Sequence, residues 1–245
     1  MIMKKIYARV FALYAILVFI ITMIPTLLWL YACKLFCSDN NFSIYLQSTF
    51  QVWMGIFMPM IGCPVKHVGR QYFEKGKQYI VVINHSSLLD IPVSSPGIPD
   101  ANKTLGKISF AKTPLFGFIY QAGSILVDRS SAKSRADSYQ KMLDCLHSGL
   151  HLCLYPEGTR NKSKEPLQKF HDGAFKVAIG AQVPIIPAII TGTKEAMPAN
   201  ETFYLLPHNI TFEFLAPVST IGLTEKDVQS LKQKVWDIMF EKLNS

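Results

Sequence analysis

The sequence predicts an α/β protein: a central mixed sheet covered by helices, with an N-terminal two-helix membrane-associated segment. Three observations predict it. An uncharged apolar run lies near the start of the chain. From Lys66 onward, short apolar runs alternate with amphipathic stretches. Most of those runs are apolar on both faces, as in a sheet with helices on each side. The boundary is expected between a membrane-associated segment, residues 1–65, and an α/β domain, residues 66–245.

Composition narrows the classes. A chain of 245 residues suits one α/β domain with a short appendage, and 49% hydrophobic content rules out disorder. The formal charge of +8 fits an anionic membrane surface or a phosphorylated ligand. Its aromatic residues sit in apolar runs and are not interleaved with Arg and Lys, so no nucleic-acid partner is expected. Five cysteines, Cys33, Cys37, Cys63, Cys145 and Cys153, include no CxxC pair. They are read as small apolar residues, with no disulfide framework and no metal site.

The first element is Val10–Cys33, 24 residues without a charge. As a helix it would extend about 36 Å, enough for a hydrocarbon core of about 30 Å. A signal peptide would have a shorter apolar core, and Tyr31 is too bulky for a lipoprotein cleavage box ending at Cys33. A second uncharged run, Asn40–Val65, carries Gln47, Ser48, Thr49 and Gln51 and an apolar face of Phe50, Trp53, Met54, Phe57 and Met58. It reads either as a core helix or, as preferred here, as an interfacial or re-entrant helix paired with the first.

Strands are expected at Tyr79–Asn84, Ser124–Val127, His151–Tyr155, Pro184–Ile190 and Ile210–Leu215. Ser131–Ser148 should be a helix with Ala136, Tyr139, Met142, Leu143 and Leu146 facing inward. Thr224–Leu243 should be another, capped by Thr224 with Asp227 and buried through Val228, Leu231, Val235, Ile238 and Met239.

The chemistry concentrates in four stretches. "NHSSLLD" places His85 and Asp90 where a strand ends. Five positions on a continuous helix rotate by about 140°, so the two meet only if His85 lies in the preceding turn and Asp90 points back. Asp90 would then fix the tautomer and leave a free ring nitrogen as base. The alternative is a helix-capping histidine with a solvated aspartate. No GxSxG elbow occurs, so the substrate is expected to supply the nucleophile. "YPEGTR", Tyr155–Arg160, follows an apolar strand and puts Glu157 and Arg160 on a tight turn where α/β sheets hold ligands; a surface turn with a chance salt bridge is the other reading. "GSILVDR" ends a strand-like run in Arg129, and "VPIIPAII" holds two prolines in an apolar run, as at a strand start, edge or bulge.

In this order, over Asn84–Ile190, the four stretches resemble the blocks of the glycerolipid acyltransferase family, in its 1-acyl-glycerol-3-phosphate acyltransferase branch. The resemblance implies that His85 is the general base and Asp90 its orienting partner. It implies an acceptor and phosphate site at Arg129, Glu157, Gly158, Thr159 and Arg160, with Lys107 near the phosphate. His171 and Asp172 depart from the family, which often carries a basic residue there, and this could suggest a different headgroup preference.

The activity so implied is acyl transfer from acyl-CoA or acyl-carrier protein to the free hydroxyl of lysophosphatidic acid, without a cofactor. Acylation of another lysolipid or an ornithine-type lipid is the alternative. A non-catalytic lipid-binding protein is the third reading, and the intact His85 and Asp90 speak against it. Basic residues flank both apolar runs: Lys4, Lys5 and Arg9 before the first, and Lys66, Arg70, Lys75 and Lys77 after the second. Both ends are thus expected on the cytoplasmic side of the inner membrane, joined by two crossings or a shallow hairpin, with the active site facing the cytoplasm.

Overall fold

The computed structural model describes residues 2–128 and 130–245. Two helices come first, α1 (Ile2–Phe36) and α2 (Asp39–Met60). Then follow β1 (Val65–Val68), β2 (Ile80–Ile83), α3 (Asp90–Gly97), β3 (Asn102–Lys107), α4 (Phe116–Gly123), β4 (Ser124–Val127) and α5 (Ala132–His147). The chain closes with β5 (His151–Leu154), α6 (Gly173–Ala181), β6 (Ile185–Thr191), α7 (Thr193–Ala196), β7 (Ile210–Phe214) and α8 (Val228–Asn244).

The strands form one mixed sheet in the order β1-β7-β6-β2-β5-β3-β4. Strands β6, β2, β5, β3 and β4 run parallel to one another, and β7 pairs antiparallel with β6. Alternation along each strand sends side chains to opposite faces. Val81 and Ile83 enter a core shared with α1, α2 and α3, while Ile80 and Val82 enter one shared with α5, α6 and α8. This is the central mixed sheet with helices on both sides that the sequence predicts.

Five expected strands are present within two residues of their expected ends, and Ser124–Val127 matches at both ends. Two strands were not foreseen, β1 and β3. Val65, expected to close the second apolar helix, instead opens β1, because Pro59, Gly62 and Pro64 end that helix early. Pro187 lies inside β6 between two neighbours, where the β7 ladder ends and the Ile185–Val218 bridge takes over, so its missing N–H interrupts no ladder. On α5, Met142 and Leu146 are buried and Tyr139 and Leu143 pack half-buried on the same core, as expected; Ser138 and Cys145 join them, while Ala136 faces solvent. The stripe of α8 is as expected, except that Ile238 is only half-buried, and the Thr224–Asp227 capping box closes a 3-10 turn, Glu225–Asp227, that leads into α8 at Val228. All five cysteines are free.

Helix α1 is long and apolar enough to cross a membrane, and α2 is not. Helix α2 buries Trp53, Met54, Phe57 and Met58 in the sheet's core, so that face is not presented to lipid. Its glutamines also point inward. Gln47 donates to the carbonyls of Ser95 (3.0 Å) and Ile98 (2.7 Å), and Gln51 to those of Ile98 and Pro99, satisfying the C-terminal end of α3. The exposed face of α2 carries Ile44, Val52, Ile56 and Met60.

Candidate active site

Strands β6, β2, β5, β3 and β4 all end at one edge of the sheet, and the four sequence blocks gather there. His85 follows β2, Tyr155–Arg160 follows β5, Lys107 closes β3, and Thr193 follows β6. Arg129, expected at the end of β4, lies outside the described residues.

His85 sits in the turn before α3, and Asp90 is the first residue of that helix. The fold therefore takes the one arrangement in which five positions can meet. His85 Nδ1 lies 2.8 Å from Asp90 Oδ2. The same oxygen accepts the backbone N–H of Ser86 (2.7 Å) and of Ser87 (2.8 Å). An oxygen that takes two N–H donors acts as an acceptor, which assigns the ring proton to Nδ1 and leaves Nε2 as the basic nitrogen. Asp90 is fully buried, which excludes a solvated aspartate, and the His85 side chain is 14% exposed.

Three further contacts fix the imidazole. The ring of Tyr155 stacks on it at 4.2 Å between centroids, and the Tyr155 hydroxyl meets Ser94 Oγ at 2.6 Å. Burial pushes the Tyr155 phenol far above its ordinary range, so it stays neutral. The main chain of His85 is held at both polar groups: its N–H donates to Glu157 Oε1 (2.7 Å), and its carbonyl accepts the N–H of Asn161 (2.6 Å). Glu157 Oε2 takes the N–H of Gln168 at 3.0 Å. The buried Glu157 carboxylate is thus committed to two backbone donors rather than presented to a ligand, although it was expected in the acceptor site. Burial raises its pKa, while the two N–H groups counteract that.

Ser87 is no spare nucleophile. Its hydroxyl donates to the carbonyl of Met197 (2.7 Å) and accepts the N–H of Leu89 (3.2 Å). Asn84, also buried, pins β2 to β6 through paired bonds with the N–H and carbonyl of Ile190. These are the residues that sequence reading missed as site-builders: Asn84, Tyr155, Asn161 and Thr193. Asn84 and Tyr155 open two of the quoted blocks, and Asn161 and Thr193 lie just beyond two of them.

The remaining expected residues lie on the same edge. Gly158 has φ +70°, and a Cβ there would come within 2.8 Å of the His171 ring. Thr159 is exposed and Arg160 half-buried, and the Arg160 guanidinium makes no hydrogen bond or ion pair with another described residue. Lys107 is exposed. The neighbouring Asp128 carboxyl is held below its usual range by the Ser130 hydroxyl and N–H, and in smaller part by Lys107. The arrangement offers an oriented imidazole on the same sheet edge as Arg160 and Lys107, and among the described residues no serine, threonine or cysteine side chain hydrogen-bonds to that imidazole.

Such a site on such a sheet is of the kind a group-transfer catalyst uses when both reactants come from outside. The acyltransferase family model matches residues 64–191, just over half of the chain, and the chain belongs to the acyltransferase family. It is 30% identical over 187 residues to the 1-acyl-sn-glycerol-3-phosphate acyltransferase of Saccharomyces cerevisiae, covering 75% of this chain and 61% of the relative. It is 28% identical over 193 residues to that of Haemophilus influenzae, covering 78% and 79%. The chain thus spans less than two thirds of the length of the yeast relative. Its fold matches the crystal structure of the 1-acyl-sn-glycerophosphate (LPA) acyltransferase from Thermotoga maritima, with TM-score 0.84 over 98% of this chain and 96% of the other, at 18% identity.

Proposed function

We propose that this protein is an O-acyltransferase that moves a fatty acyl chain from a thioester, acyl-CoA or acyl-carrier protein, to the free hydroxyl of 1-acyl-glycerol-3-phosphate, giving phosphatidic acid. The observation that carries the reading is the 2.8 Å His85–Asp90 pair, which leaves Nε2 as the basic nitrogen, with no serine, threonine or cysteine side chain among the described residues hydrogen-bonded to the imidazole. The names of the relatives support the acceptor. His85 Nε2 takes the proton of the acceptor hydroxyl as its oxygen attacks the thioester carbonyl. The C–S bond breaks, and the leaving thiolate takes that proton back from the imidazolium. The Tyr155 ring face and Asp90 stabilise the imidazolium in between. Arg160 and Lys107, with Arg129, bind the acceptor's phosphate, Arg160 through its planar fork. Gly158 and Thr159 shape the turn that carries Arg160, and Glu157 acts through the main chain of His85.

Residues 1–65 form the membrane-associated segment and residues 66–245 the catalytic domain. The contacts of α1 favour a hairpin lying in one leaflet over two crossings. Lys5 pairs with Glu201 (3.0 Å), the Ala8 carbonyl accepts the N–H of Leu205 (3.2 Å), and Tyr31 stacks on Phe118 at 4.1 Å. From Lys5 to Tyr31 a helix runs about 39 Å, so α1 lies along the domain's flank rather than leaving it. The apolar outer face of α2 lies in the same layer. Thioester carriers are cytoplasmic, and the domain faces that side of the inner membrane.

The test is an assay of the purified full chain with a panel of acceptors: lysophosphatidic acid, a lysophospholipid with a larger headgroup, and an ornithine-type lipid. Lysophosphatidic acid should be the preferred acceptor, and His85→Ala should lower turnover by about 10²–10⁴-fold. Preference for another acceptor would overturn the substrate. Activity of His85→Ala above about a tenth of wild type would overturn the mechanism.

A further inference from the structure

The carboxylate that orients His85 is itself held from its far side. Asp90 Oδ2 is shared by His85 Nδ1 and the N–H groups of Ser86 and Ser87. Asp90 Oδ1 accepts one hydrogen bond, from the hydroxyl of Thr193 at 2.6 Å. Neither Asp90 nor Thr193 has any exposed surface. Thr193 opens α7, the turn that follows β6, and lies 103 positions from Asp90 in sequence.

The backbone is shaped for this contact. Gly192 has φ +88°, and a Cβ there would run into the carbonyl oxygen of Asn209, so a side chain would push the chain away from the position that brings Thr193 to Asp90. Just beyond the other end of α7, the Met197 carbonyl accepts the Ser87 hydroxyl at 2.7 Å. The turn after β6 is therefore fastened at both ends to the segment that carries the base and its partner.

We infer that Thr193 is a positioning residue for acyl transfer: its hydroxyl fixes the rotation of the Asp90 carboxylate and so the direction of His85 Nε2. The inference rests on the acyl-transfer reading above. A carboxylate bonded only through Oδ2 is free to turn about its Cβ–Cγ bond, and it leaves Oδ1 buried without a donor. It also carries more uncompensated negative charge toward the imidazole, which strengthens its hold on the imidazolium. The other titratable groups against this pair are Glu157 and Tyr155, and neither contacts Oδ1.

The experiment compares the full-length wild type with Thr193→Val, of nearly the same shape, and Thr193→Ser, which keeps the hydroxyl. Turnover, KM for lysophosphatidic acid, the pH profile and the NMR titration of the His85 imidazole are measured for each. Thr193→Val should lower kcat by about 10- to 100-fold with KM within about twofold, as for loss of a hydrogen bond to a charged group. It should raise the His85 titration and the acid limb of the profile by about half a pH unit or more. Thr193→Ser should restore kcat to within about threefold of wild type. If Thr193→Val does not fold, Thr193→Ala carries the same test. Turnover of the hydroxyl-less variant within about threefold of wild type, an equal loss in Thr193→Ser, or a loss with an unmoved His85 titration would each overturn the inference. If wild type fails to acylate lysophosphatidic acid, the functional reading fails instead. The NMR titration still decides whether Thr193 governs the Asp90–His85 pair.

Discussion

The carboxylate of Glu157 reaches back 72 positions to take the main-chain N–H of His85 at 2.7 Å. With the Asn161 N–H on the carbonyl of the same residue, it locks the peptide frame from which the imidazole projects. A residue expected in the acceptor site thus holds the main chain from which the His85 imidazole projects. Glu157→Gln should show this. The amide oxygen can serve one of the N–H groups of His85 and Gln168, but its NH₂ must then confront the other. The expected loss is about 1–3 kcal/mol of stability, read from the denaturant midpoint in detergent, with a kcat loss of about tenfold or more. Wild-type stability and turnover in that variant would refute the role.

Arg160→Lys keeps the charge and loses the planar fork. It should cost about tenfold in kcat/KM against lysophosphatidic acid and much less against a neutral lysolipid acceptor. An equal loss for both acceptors would move the phosphate site elsewhere on the edge.

His67, on β1, packs edge-on to Phe212 beside Arg70. Burial first, and then Arg70, lower its pKa from 6.5 to about 4. A depressed folded-state value means the neutral ring is favoured in the fold. Its contribution is therefore complete above about pH 6.5 and is lost as pH falls toward 4. Unfolding midpoints of wild type and His67→Gln at pH 7 and pH 4.5 test this. The wild type should lose more stability on acidification than the variant, and parallel losses would sink the prediction.

The N-terminal helix lies along the domain, with Lys5 on Glu201 at one end and Tyr31 on Phe118 toward the other. Tags at both chain ends should therefore be protected together in sealed right-side-out vesicles. Tags found on opposite sides would establish a single crossing by α1 and remove the hairpin.

How far the sequence could be read depended on how local the cause was. β4 was readable to the residue, because "SILV" is a short apolar run between Gly123 and Asp128. β3, "NKTLGK", was not: it is polar, contains glycine, and is a strand because β5 and β4 flank it. A helix after His85 was presupposed in reading His85 and Asp90 together, but the extent of α3, "DIPVSSPG", was hidden by its two prolines and two serines. The polar residues of α2 favoured an interfacial or re-entrant reading, since nothing nearby reveals that Gln47 and Gln51 serve the carbonyls at the end of α3. His85 and Asp90 could be paired from a five-residue spacing and the end of a strand. The partners that hold them could not, since Glu157 and Thr193 lie 72 and 103 positions away from the residues they bond, and single-sequence patterns carry no such distances.

The inner face of α1 has a practical consequence. Ala12, Ala15, Val18, Met23, Leu27 and Leu30 belong to the same packed interior as Val81, Ile83 and Phe212. The first helix and the sheet share a wall, so cutting that helix away would not release an intact α/β domain. Such a cut would uncover the sheet's own lining and leave a sticky, aggregation-prone remnant. A handling-friendly version would have to keep the helix and instead recolour its outward residues, such as Leu13, Leu17, Ile24 and Leu28, with polar side chains.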